Sequence, residues 1–98
     1  MAGSPHSSDD PPLWHVIESP FFWYLVERSG LDPRDIDEAI DAIKWTIARD
    51  PWYYPASADE RVRIAYVPPL WSIPAAFVYY TVSPNEQTCT LQWFRLFP

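Results

Sequence analysis

Between residues 33 and 49 apolar side chains recur at Ile36, Ile40, Ile43 and Ile47, spaced four, three and four. That spacing predicts a helix with one buried stripe, with Ile40 and Ile43 at the middle of the packed face. Asp32 and Pro33 supply its start, Asp50 and Pro51 its stop. Asp35, Asp37 and Glu38 crowd the positive N-terminal end, and Lys44 and Arg49 the negative C-terminal end. At about 100° per residue, Trp45 falls roughly 160 to 200° from the isoleucine stripe. It must meet either a loop of the same chain or a partner. The same start appears earlier as Ser19 and Pro20, opening a helix that runs to Ser29 and closes at Gly30. With Phe21, Phe22, Leu25 and Val26 flanked by Trp23 and Tyr24, that helix is apolar nearly all round, so its surface should be largely covered.

A period of two marks the rest. Trp14 to Glu18 is a short first strand. Arg61 to Val67 alternates, with Val62, Ile64 and Tyr66 on one side and Arg61, Arg63 and Ala65 on the other. Pro68 and Pro69 end this strand, and Leu70 to Pro74 connects it to a hairpin over Ala76 to Phe97, whose polar insert carries Pro84 at a turn position. Pairing Val82 with Cys89 places Tyr80 opposite Leu91 and Val78 opposite Trp93. On the other side Thr81 meets Thr90, Tyr79 meets Gln92 and Phe77 meets Phe94. The expected fold is α+β: two N-terminal helices packed on a small antiparallel sheet, formed by the short first strand and a three-stranded meander.

Composition adds bounds. Ninety-eight residues with 48% hydrophobic content suffice for one domain with a real core, read here as residues 13–98 after a disordered tail, 1–12, rich in Pro, Ser and Asp. The tail has no apolar leader-like run and no later segment approaches the about 20 apolar residues of a membrane span, so a cytoplasmic protein without membrane contact is expected. The net charge of −6 is uneven. Residues 1–60 hold four basic and twelve acidic side chains, whereas residues 61–98 hold Arg61, Arg63 and Arg95 against Glu86 alone. This bulk charge repels nucleic acid at long range, so RNA binding would need a local patch on the sheet.

Several chemistries are disfavoured. His6 and His15 stand apart and Cys89 is the sole cysteine, so no metal-ligand spacing exists and no metal or cofactor is expected. Cys89 alternates with Tyr80 and Leu91 and reads as core. Gly3 and Gly30 are the only glycines, too few for a phosphate-cradling loop. What remains is Arg61, Arg63, Tyr79 and Arg95 as candidate catalytic or phosphate-gripping residues, against the plain reading of a solvated strand face. Trp45, the loop aromatics Trp52, Tyr53 and Tyr54, and Phe77 and Phe94 on the hairpin are candidate partner-binding residues. The loop trio has its own plain reading, a loop clamped over the core.

The order of a short strand, two helices ending in Asp50-Pro51, a strand with Arg61 and Arg63, then FVYYTV, a polar turn and TCTLQWFR resembles the RelE/ParE toxin superfamily of bacterial toxin-antitoxin systems. The resemblance covers about residues 14–97. It implies a compact fold with a sheet packed on helices, and an antitoxin-like partner. A RelE-like function would be cleavage of mRNA at the ribosome, with Arg61 and Arg63 holding phosphate, Tyr79 positioning the attacking 2′-hydroxyl or stacking a base, and Arg95 stabilising developing charge. A ParE-like function would be inhibition of gyrase. Ala76 or Phe77 stands where many members carry arginine, and Arg95 is followed by Leu96, Phe97 and Pro98 in place of a basic finish. These departures lead to the alternative from another class, a non-catalytic interaction module that binds itself or another protein.

Overall fold

The isoleucine stripe and its caps form as the spacing dictates. In the computed structural model, which describes residues 13–69 and 74–97, the chain runs β1 (His15–Glu18), α1 (Pro20–Arg28), α2 (Pro33–Arg49), β2 (Val62–Val67), β3 (Ala76–Ser83) and β4 (Thr88–Leu96). The tail expected over 1–12 and residues 70–73 of the expected connection lie outside the described residues. Ser19 caps α1 by accepting the Phe22 amide at 3.1 Å, and Gly30, at φ +81°, takes the left-handed turn that ends it. Asp32 caps α2 by accepting the Arg34 amide at 2.9 Å. That amide, helped by the Arg34 guanidinium, holds the Asp32 carboxyl below its ordinary value.

The four strands form one sheet in the order β1-β4-β3-β2. Two expectations are corrected here. The sheet is mixed, because β1 lies parallel to β4, with Val16 beside Cys89 and Ile17 beside Thr90. The helices are also not N-terminal to the whole sheet: β1 precedes them, at the short first strand expected over Trp14 to Glu18. A parallel pair needs a long crossover, and the chain between β1 and β4 is long enough to bring the last strand back in the direction of the first.

The hairpin register is as expected from the turn to Tyr80 opposite Leu91, and then shifts. Tyr79 faces Trp93, Val78 faces Phe94 and Phe77 faces Arg95, leaving Gln92 as the extra residue of a β-bulge. The bulge turns Phe94 onto the helix side and Trp93 away from it. Phe94 is therefore buried, not the exposed partner of Phe77 that a regular ladder predicts.

The face of β2 is corrected as well. Arg63, Ala65 and Val67 pair with Tyr80, Val78 and Ala76, so their side faces the helices, and Val62, Ile64 and Tyr66 face the other way. Burial follows this assignment: Ile36, Ile40, Ile43 and Ile47 of α2 and Phe22 and Val26 of α1 close over Ala65, Val78, Tyr80, Cys89, Leu91 and Phe94. One half-buried polar group joins three elements. Glu18 at the end of β1 accepts from Lys44 Nζ of α2 at 2.7 Å and from Trp23 Nε1 of α1 at 2.9 Å.

Candidate functional site

Both helices cover one side of the sheet, which leaves the other side open. Strand pairing orders its side chains into rows. The first row is Tyr66, Phe77 and Arg95; the second is Ile64, Tyr79 and Trp93; the third is Val62, Thr81, Thr90 and Ile17. The face is thus aromatic at one end and rich in hydroxyls at the other, where Gln92 Nε2 also donates to Thr81 Oγ1 at 3.2 Å. At the aromatic end Tyr66, Phe77 and Phe97 form a chain of rings 5.6 and 5.7 Å apart, and the Arg95 guanidinium lies 5.5 Å from the centre of the Phe77 ring. Trp93 continues the surface around the sheet edge to Phe21 of α1, at 5.2 Å, and Phe21 stacks on Tyr24 at 5.9 Å. Tyr66, Trp93 and Phe97 are each about half exposed.

The four candidate catalytic residues are scattered. Arg61 precedes β2 in a turn, its side chain 88% exposed and held by Asp59 at 3.3 Å. The Arg61 amide, then its guanidinium, in turn hold the Asp59 carboxyl below its ordinary value. Arg63 points to the helix side, where Nε donates to the Tyr54 carbonyl at 2.7 Å and Nη2 to the Trp52 carbonyl at 3.4 Å. Its guanidinium also lies 5.3 Å from the Trp52 ring. Tyr79 and Arg95 share the open face, in adjacent rows. Across strands Arg61 and Arg95 are separated by about five residues of rise, or about 16 Å, and by two strand spacings, about 10 Å.

The loop after α2 is clamped, as its plain reading has it, and Arg63 is part of the clamp. Tyr80 adds to it from below, donating its hydroxyl to the Pro51 carbonyl at 2.8 Å while the ring of half-buried Tyr54 sits edge-on at 6.3 Å. Burial pushes the Tyr80 hydroxyl well above the ordinary tyrosine range, only partly countered by the Arg63 charge, so it stays a donor. Trp52 and Tyr53 remain exposed. Trp45 is 60% exposed, so no loop of the described chain covers it; instead Arg49 stacks its guanidinium 3.7 Å from the ring centre. The sequence thus points to two aromatic surfaces, this one at the end of α2 and the open sheet face. It missed Tyr66, Trp93 and Phe97 on the latter; the signal was the pairing of Tyr66 opposite Phe77, hidden until the face of β2 was known.

Among the described residues the candidate arginines gather no anion site with a general acid or base in reach. Cys89 is fully buried, and burial pushes its thiol up to about 11, so it is not a nucleophile. An apolar cavity of about 250 Å³ at the edge between α2 and β2 is lined by Ala39, Ala42, Ile43, Thr46, Tyr54, Tyr66, Val67 and Pro68, with no carboxylate, histidine, lysine or arginine among them. Among the described residues no group of three His, Cys, Asp or Glu side chains could hold a metal ion, and no helix is long and apolar enough to cross a membrane. Family models, curated proteins and solved structures compared with the chain return no significant match.

Proposed function

We propose that the protein is a non-catalytic interaction module, derived from a RelE/ParE-like toxin, that works by presenting the open face of its sheet to another protein chain. The observation that carries this reading is the divergence of Arg61, Arg63, Tyr79 and Arg95. A phosphoryl-transfer site needs several donors aimed at one developing charge and a group titrating near neutral pH beside them. Here one arginine is neutralised by Asp59, one is spent on two backbone carbonyls, and the remaining pair of Tyr79 and Arg95 has no histidine or lysine next to it among the described residues. The toxin ancestry is supported by the order of elements, a strand, two helices and a three-stranded meander.

Induced expression in a bacterial host tests the reading. Growth should continue at the uninduced rate, and ribosome-bound mRNA should stay intact. Growth arrest that disappears in Arg95→Ala or Tyr79→Phe, with both variants still folded, would restore a target-directed toxin. Those two positions are the informative ones, because Arg63→Ala would also release the loop it holds.

A further inference from the structure

The partner that best fits the open face is a second copy of this chain. We propose that two copies pair sheet to sheet through the aromatic rows, in a closed two-fold dimer, an inference that names the partner of the interaction module and rests on that reading.

Charge decides between this face and the other aromatic surface. Among the described residues no carboxylate projects from the four strands onto the open side and Arg95 is the one fixed charge they place there, while Glu27, Asp35, Asp37, Glu38 and Asp41 are exposed on the helices behind. With layers spaced about 10 Å apart, face-to-face pairing leaves the two acidic helix layers about 30 Å from one another. That exceeds the Debye length of about 8 Å at physiological salt, so a chain of net charge −6 can meet itself there with little repulsion. Pairing through Trp45, Trp52 and Tyr53 would do the opposite. That surface belongs to the helix layer, beside a groove that carries Lys44 and Arg49 as well as Asp41, and pairing through it would bring the helices with Asp35, Asp37 and Glu38 toward one another.

Size and shape agree. Four strands at about 4.8 Å spacing and about eight residues of about 3.3 Å rise give a projected footprint of about 500 Å², which the relief of the rings raises toward the about 800 Å² per partner of a standard interface. Tyr66, Phe77, Trp93 and Phe97 supply the rigid aromatic anchors that carry binding energy in such interfaces. Edge-to-edge growth is discouraged, since β1 has four residues and the outer edge of β2 already receives the loop, with the Ile64 amide donating to Pro55 at 3.0 Å and the Ser57 amide to Val62 at 2.8 Å. A face that is its own complement closes at two.

Sedimentation equilibrium of the full chain from about 1 µM to about 500 µM, at about 0.15 M salt, reads the association directly. The mass should climb from 11.4 kDa to twice that value and stop. Tyr66→Glu and Trp93→Glu, in different rows, should each weaken association at least about 30-fold, the loss expected of an interface anchor. Trp45→Glu, on the helix side, should leave it unchanged. Thermal melts of the three variants at low concentration confirm that each is folded. A monomer across the whole range, dissociation by Trp45→Glu alone, or growth beyond the dimer would overturn the proposal. So would a labelled single-stranded RNA oligonucleotide that binds the wild type and is lost in Trp93→Glu, which would assign the face to nucleic acid. A monomer that leaves bacterial growth untouched would remove the dimer and keep the interaction module; growth arrest would remove the module whatever the mass.

Discussion

The two faces of the sheet are built by the same four strands and both carry large apolar side chains, yet only one is covered. The helix side carries Ala65, Ala76, Val78, Tyr80, Cys89 and Leu91, all fully buried, and the open side carries Ile64, Tyr66, Phe77, Tyr79 and Trp93. Side-chain shape separates them better than hydrophobicity does. The covered face is mostly aliphatic and small, which lets the isoleucines of α2 and Phe22 of α1 descend into it, and its one deep hydroxyl, on Tyr80, has a carbonyl to meet. The open face gathers its rings at one end, where they tile one another side by side and need no second layer of aliphatic groups, and carries hydroxyls at the other. An apolar position in a strand is therefore no guide to burial within this domain; what the opposite layer can fill decides it.

Truncation on each face gives the widest contrast. Leu91→Ala, on the covered face, should cost about 2 to 5 kcal/mol, as lost burial is compounded by a cavity the packed helices cannot close. Tyr66→Ala, on the open face, should cost under about 1 kcal/mol in the monomer. Urea melts at low concentration measure both. Comparable losses would mean that the open face is covered in solution by something other than a second copy.

Alkaline pH probes the covered face alone. Cys89 and Tyr80 hold their protons more tightly folded than unfolded, Cys89 up to about 11 against an ordinary 9.0 and Tyr80 well above an ordinary 10.0. The unfolded chain releases these protons first, so it binds fewer, and stability falls as pH rises. The contribution is complete below about pH 9, and each group then removes about 1.4 kcal/mol per pH unit over the interval in which only the unfolded chain has lost its proton. Melts between pH 8 and 11 should show this decline, and Cys89→Ala should delay its onset from about pH 9 to about pH 10. An unchanged onset in that variant would mean that the thiol is not the first group to titrate.

The smallest effect is expected at the bulge. Deleting Gln92 restores a regular ladder in which Leu91 and Phe94 still face the helices and Trp93 still faces out, so stability should change by no more than about 1 kcal/mol. Deleting Thr90, between buried Cys89 and Leu91, forces one of them onto the open side and should unfold the chain. Circular dichroism of the two deletions separates these outcomes, and loss of fold on deleting Gln92 would show that the bulge also sets the twist the helices need.

Much of the site was out of reach of the sequence for one reason. Trp45, Trp52 and Tyr53 stood out as surface aromatics because a helical stripe or a proline-bounded loop identifies them locally. Arg63 looked like a partner of Tyr79, and only its pairing opposite Tyr80 turned it to the helix side and onto the carbonyls of Trp52 and Tyr54.

Neighbours three or four residues apart settle both helices, their Ser19 and Asp32 caps, the stop at Gly30, the buried isoleucine stripe and the turn after Ser83, and all of these are legible along the chain. Tertiary structure decided what depends on strands far apart in the chain. The parallel alignment of β1 with β4, the side taken by β2 and the bulge at Gln92 all rest on pairings across the sheet. A strand has a period of two, so one extra residue reverses every face beyond it, and β3, apolar from Ala76 to Tyr80, carries no polar marker to say which side is which.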